Sequence, residues 1–143
     1  MLIVDDVLLL RVLAGTAEGE IASAAGRSEI FTTGSWYSRL NRALSSPQME
    51  GALSRPFAAF APERRGRVLA ALDHLPDEIG LLSLRDLVPV IRAFDISRPL
   101  SLLTTEALAA GRVLDGEIRV TTESAMLWDG AAAVGVHVRL VAL

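Results

Sequence analysis

The sequence predicts an α/β fold built on a mostly parallel sheet. Short apolar strands alternate with helical segments along the chain, and the last third reads helix, strand, helix, strand. The 143 residues suit one domain spanning 1–143, long enough to bury roughly two-thirds of its extended surface around a single core. The chain shows neither an internal repeat nor a low-complexity tail.

Residues 2–4, LIV, form a first strand that stops at the adjacent carboxylates Asp5 and Asp6; VLLLRVLAG then reads as a helix ended by Gly15. AEGEIASAAGRSE is a weaker helix or a loop. IFTTGSWYSRLNRAL combines a strand over 30–32 with a helix to about Leu44, and Thr33 is placed to cap it. Pro47, Pro56 and Pro62 break the middle into turns and helix fragments. A helix follows from Glu63 and stops before Pro76, IGLL is a brief strand, and SLRDLVPVIRAF is a helix capped by Ser83 and kinked at Pro89. A helix beginning near Thr105, the strand EIRVT, the helix TESAMLWDGAAAV and the strand VHVRLVAL complete a sheet of four to five strands.

Composition narrows the chemistry. Apolar residues make up 51% and the mean hydropathy is +0.40, yet no apolar run approaches the ~18 residues a bilayer span needs. Acids at positions 5 and 6, with no basic residue ahead of them, make a poor signal peptide, so a cytoplasmic protein is expected. With zero cysteines, disulfides, thiolate metal sites and cysteine nucleophiles are excluded. All 14 basic residues are arginine. That pattern suits bidentate phosphate recognition and equally a GC-rich codon usage, and it removes Schiff-base and P-loop lysines. A net charge of −3 confines any nucleic-acid contact to a local arginine patch or to metal.

The carboxylates fall in a pattern. Asp5 and Asp6 lie at the carboxyl end of the first strand, Glu123 lies just past EIRVT, and Glu106 opens the helix before it. Open parallel sheets bind ligands outside the carboxyl ends of their strands, so these acids are candidates to converge. Oxygen ligands without His or Cys suit Mg²⁺ or Mn²⁺, and such ions activate water and stabilise displacement at phosphate. Each acid also has a local explanation. Glu106 and Glu123 sit in first helical turns, where the macrodipole favours a carboxylate, and one of the two aspartates can cap the helix that follows. A single cap does not account for two adjacent acids.

In these elements the chain resembles the PIN domain family, the small metal-dependent nucleases that include the VapC-like toxins. LIVDDVLLLRVLAG matches the family's opening strand, Asp, small polar position and apolar helix. EALAAGRVLDGEIRVTTESAMLWDGAAAVGVHVRLV follows the family's order of an acid on a helix, a strand, a hydroxyl-x-acid, a helix and a GV-x-V strand. The resemblance implies a three-layer α/β/α fold and a metal-dependent endoribonuclease of toxin–antitoxin type. It further implies a homodimer and a small antitoxin partner. By position it makes Asp5, Glu106 and Glu123 the acids that hold Mg²⁺ or Mn²⁺, Thr121 a hydroxyl that orients a ligand or water, and Asp6 a substitute ligand in a polar slot.

One departure opens a second reading. The family's second acid lies a turn or two into the helix after the second strand; here that place is held by Arg39, with Ser38 beside it. The nearest acids, Glu29 and Glu50, lie outside that helix. A guanidinium there brings positive charge beside the cation, or fills the site without metal by pairing with Asp5 or Glu106. The chain is then a catalytically inactive PIN-like binding or assembly module. The side chain of Arg39 discriminates: turned into the acids it favours the module, turned outward it leaves a three-acid site.

Trp36, Tyr37, Arg39 and Arg42 near one helix start suit RNA stacking and phosphate contact, or a helix face packed on the sheet. ERRGR, residues 63–67, is the densest basic stretch. His74 and His137 stand alone and suggest no zinc site. Phe57, Phe60 and Trp128 are candidates for exposed apolar surface.

Overall fold

The computed structural model describes residues 1–46 and 51–143, so Pro47 and Glu50 lie outside the described residues. Its centre is β1 (Leu2–Val4), three buried residues whose side chains alternate between two apolar clusters. The sheet is completed by β2 (Ile30–Thr33), β3 (Ile79–Leu82), β4 (Glu117–Val120) and β5 (Val138–Leu140), in the order β3-β2-β1-β4-β5 with every pairing parallel. Leu2 sits in register with Ile30 on one side and Glu117 on the other. A parallel sheet must be covered on both faces, and it is, giving the three-layer α/β/α arrangement.

On one face Leu2, Val4 and Ile30 pack with Leu8 and Leu9 of α1 (Asp6–Ala14), Ile21 of α2 (Gly19–Gly26), and Leu40 of α3 (Gly34–Ser45). The short α4 (Ser54–Ala58) contributes Phe57 and α5 (Pro62–Asp73) contributes Val68. On the other, Ile3 and Ile118 pack with Leu87 of α6 (Leu84–Arg92), Leu108 of α7 (Leu102–Leu114) and Leu127 of α8 (Ala125–Val134). The chain runs outward from β1 to β3 and then returns through α7 to add β4 on the opposite side of β1. That reversal opens a crevice at the carboxyl ends of β1 and β4, the usual ligand position in such sheets.

The element starts have local causes. Asp5 caps α1 by accepting from Leu8 N, and Gly15 closes that helix with φ +68°, a left-handed conformation that suits glycine. Thr33 caps α3, Ser83 caps α6, and α6 continues through the exposed Pro89 to Arg92. Two boundaries differ from expectation. α7 begins at Leu102, because Ser101 is the cap and accepts from Thr104 N; Thr105 instead donates its hydroxyl back to Ser101 O within the helix. Glu106 is therefore a turn inside the helix, not at its start. Ser124 caps α8, which leaves Glu123 in the loop before that helix.

The aromatics also turn inward more than expected. Phe57 is 2% exposed, and Phe60 meets it edge-on at 6.4 Å between centroids, with the Arg64 guanidinium 5.7 Å over its ring. Trp128 packs against the second apolar cluster. Burying aromatic area is worth more than displaying it, so these rings serve the core. Among the described residues no helix is long and apolar enough to cross a membrane.

Candidate functional site

Asp5 follows the last residue of β1, and its backbone N–H donates to Arg119 O of β4 at 3.1 Å. Both of its carboxylate oxygens are occupied. One accepts from Leu8 N at 2.9 Å; the other accepts from Thr121 N at 2.6 Å and Thr121 Oγ1 at 2.8 Å. Asp5 and Thr121 are thus joined directly across the crevice, so the Thr121 hydroxyl, expected to orient a ligand or water, is engaged by the Asp5 carboxylate. Burial pushes the Asp5 carboxyl above its ordinary range, with the Leu8 and Thr121 donors opposing the shift.

Asp6 is the first residue of α1 and is 4% exposed. One oxygen accepts from Val7 N at 3.1 Å. The other, Oδ2, is buried without a hydrogen-bond partner, although Arg39 Nε lies 3.1 Å away. The ion pair is close but misaligned, so charge attraction holds it without a directed hydrogen bond. Burial raises the Asp6 pKa, the Asp5 charge adds to the rise, and the Arg39 guanidinium opposes both. Arg39 comes from α3 and pairs with Asp6, not with the expected Asp5 or Glu106, whose carboxylates already serve backbone donors; its side chain is 49% exposed against 5% for Asp6.

The remaining acids diverge. Glu106 is buried and accepts from Ser35 N at 2.8 Å, so its carboxylate serves the open N-terminus of α3. Glu123 is exposed and lines a cavity of about 580 Å³ together with Asp5, Asp6, Arg39 and Thr121. Glu106 instead lines a neighbouring groove. Asp5, Asp6, Thr121 and Glu123 line one crevice, whereas Glu106 is drawn away by the helix end it caps.

A hard divalent cation needs about six oxygens, several of them unshared carboxylate oxygens. Here the Asp5 oxygens carry three donors, Asp6 faces a guanidinium, and Glu106 serves a helix. Among the described residues no group of three or more His, Asp or Glu side chains is placed to hold a metal ion. The donor set does not fit Mg²⁺ or Mn²⁺. Of the candidate RNA contacts, Trp36 is 2% exposed in the second apolar cluster, which removes its ring from base stacking, whereas Arg39 and Arg42 are exposed on α3. Tyr37 likewise turns inward and donates to Leu72 O.

No family model and no curated protein matches this chain.

Sequence reasoning missed Ser35, whose N–H recruits Glu106, and Arg119, a buried cation in β4. A charge inside the apolar run EIRV was the available signal for Arg119; nothing local marked Ser35.

Proposed function

We propose that the chain is a cytoplasmic PIN-like domain that works as a binding or assembly module without metal-dependent catalysis. The single observation that carries this reading is the 3.1 Å approach of Arg39 Nε to the buried Asp6 Oδ2. The guanidinium supplies, from within the chain, the positive charge that an acidic crevice needs. Asp5 fastens β1 to β4 through Thr121, and Arg39 balances the neighbouring carboxylate. The support for the family is the order of elements and the LIVDD and TTES segments, together with a parallel sheet and an acidic switch-point crevice.

Titration with Mn²⁺ followed by thermal unfolding tests the reading. The expected result is no rise in Tm for the wild type and no cleavage of single-stranded RNA, with a metal-dependent rise in Arg39→Glu, where the cation gives way to an acid. A bound ion at a hundred times its Kd adds about 2.7 kcal/mol, several degrees for a chain of this size. A rise of that size in wild type, accompanied by RNA cleavage that Glu123→Gln abolishes, overturns it.

That outcome would favour the second reading, a toxin-type endoribonuclease with RNA as substrate, a homodimer and an antitoxin partner. Its support is that Asp5, Asp6 and Glu123 share one cavity and that the half-exposed Arg39 has room to swing aside.

A further inference from the structure

Arg39 and Arg42 stand three residues apart on α3 and so share one helix face. That face forms one wall of a groove of about 620 Å³ whose apolar floor comes from the end of β3 and the starts of α6 and α7. Leu81, Leu84 and Leu102 there are 46%, 41% and 56% exposed, and Val88 extends the stripe one turn along α6. Isolated exposed leucines are ordinary; several on one groove mark a contact surface.

The charges on the groove choose its occupant. Three charged side chains line it: Arg39, Arg42 and Glu106. Glu106 is 2% exposed and already bonded to Ser35 N, so the charges that meet solvent are both positive on a chain of net charge −3. Among the described residues Arg42 makes no ion pair. A second copy packed face to face would set these arginines against their own kind. A single-stranded RNA would find no accessible aromatic to stack on, because Trp36 is buried.

We propose that this groove docks an acidic amphipathic protein segment, its apolar side chains on Leu81, Leu84 and Leu102 and its carboxylates on Arg42 and Arg39. The inference rests on the reading of Arg39 as the counter-ion of the acidic crevice and names the partner class for that module. Arg39 is a shared wall, lining both the crevice and the groove. A carboxylate arriving in the groove therefore competes with Asp6 for one guanidinium, and docking and the Asp6 pair oppose each other.

Fluorescence anisotropy with a labelled helical peptide of leucines and glutamates, its lysine-for-glutamate counterpart and an oligouridylate tests this. The glutamate peptide is expected to bind at least about tenfold more tightly than the lysine one. Arg42→Glu and Leu102→Ser, both at exposed positions, are each expected to weaken it by roughly tenfold, and Asp6→Asn to tighten it several-fold by releasing Arg39. Equal binding of the two peptides, indifference to Leu102→Ser, or tighter binding of the oligouridylate overturns the proposal. So does a wild-type dimer that Leu102→Ser dissociates in sedimentation, since the groove is then a self-interface. The Mn²⁺ titration of the same proteins separates the two readings. Metal binding by wild type with the peptide results intact removes the counter-ion reading and leaves the docking groove; peptide failure without metal binding does the reverse.

Discussion

Two arginine–carboxylate clusters flank the middle of the sheet, and they are opposites. In the first, Arg119 on β4 is the buried partner, its side chain 5% exposed, while Glu20 and Glu117 reach it from outside at 2.7 and 2.8 Å. In the second, Asp6 is the buried partner and Arg39 the outer one. A guanidinium does not shed its charge at any ordinary pH, so a buried arginine demands anions at all times. A buried aspartate has another way out, because it can take a proton. The Arg119 cluster is consequently a fixed clamp between α2, β4 and β5, joined by Arg139 at 3.1 Å from Glu117. The Asp6 cluster is adjustable.

The largest effect is expected at Glu117. Glu117→Ala leaves Arg119 with the solvent-exposed Glu20 as its remaining short-range partner, and its Nε already lacks a hydrogen bond. We expect a loss of about 2 kcal/mol in urea unfolding. Arg119→Met, which removes the buried cation and leaves both acids in contact with water, should instead cost little or nothing. Equal losses in the two variants would show that the cluster acts through packing and not through charge.

Asp6→Asn sharpens the contrast. The folded pKa of Asp6 lies above its unfolded value, so between the two values the folded state holds more protons and stability falls as pH rises. Ionised Asp6 is thus a burden at neutral pH, fully relieved only below its unfolded range. Asp6→Asn should be neutral or up to about 1 kcal/mol more stable at pH 7, with the advantage shrinking as pH falls below the raised pKa. Glu20 shows the reverse dependence: hydrogen bonding and charge attraction from Arg119 hold it below the ordinary range, so its contribution is present at neutral pH and disappears in acid. Unfolding series from pH 2 to 8 on wild type and Asp6→Asn would resolve the two slopes, that of Glu20 lying at the acid end. The smallest effect belongs to Arg39→Gln. Half exposed and misaligned, that pair should cost within about 0.5 kcal/mol, with the Asp6 pKa rising further; a loss well above 1 kcal/mol would make it a structural clamp like the first.

Much of the fold was legible because its signals are local. The strand 2–4, the cap Asp5, the helix and its closing Gly15 follow one another within a few residues, and the same holds for Thr33 before α3. The start of α7 was less legible, since Thr105 and Ser101 carry equivalent hydroxyls and the choice depends on where the preceding chain enters. The crevice itself was readable from strand ends and topology. The fate of each carboxylate was not. Glu106 and Glu123 occupy the expected places in chain order, but the direction of a long side chain depends on which donors its neighbours leave open. For Glu106 that donor is Ser35 N, 71 positions away. Arg39 stood out in the sequence because a charge of the wrong sign occupied a place reserved by resemblance, and its ion pair falls on one of the two aspartates that the opening segment offered.

The bond between Asp5 and Thr121 spans 116 positions. A ribosome adding about 5–20 residues per second finishes β1 many seconds before β4 exists. Throughout that interval the first strand has one parallel neighbour to join and a bare edge where β4 belongs. Until Thr121 has been added, the Asp5 oxygen that accepts from its N–H and hydroxyl lacks those two donors. The crevice is therefore among the last features to assemble during synthesis. A nascent chain halted before position 121 has helices α1 to α5 and still lacks the latch between the end of β1 and the end of β4.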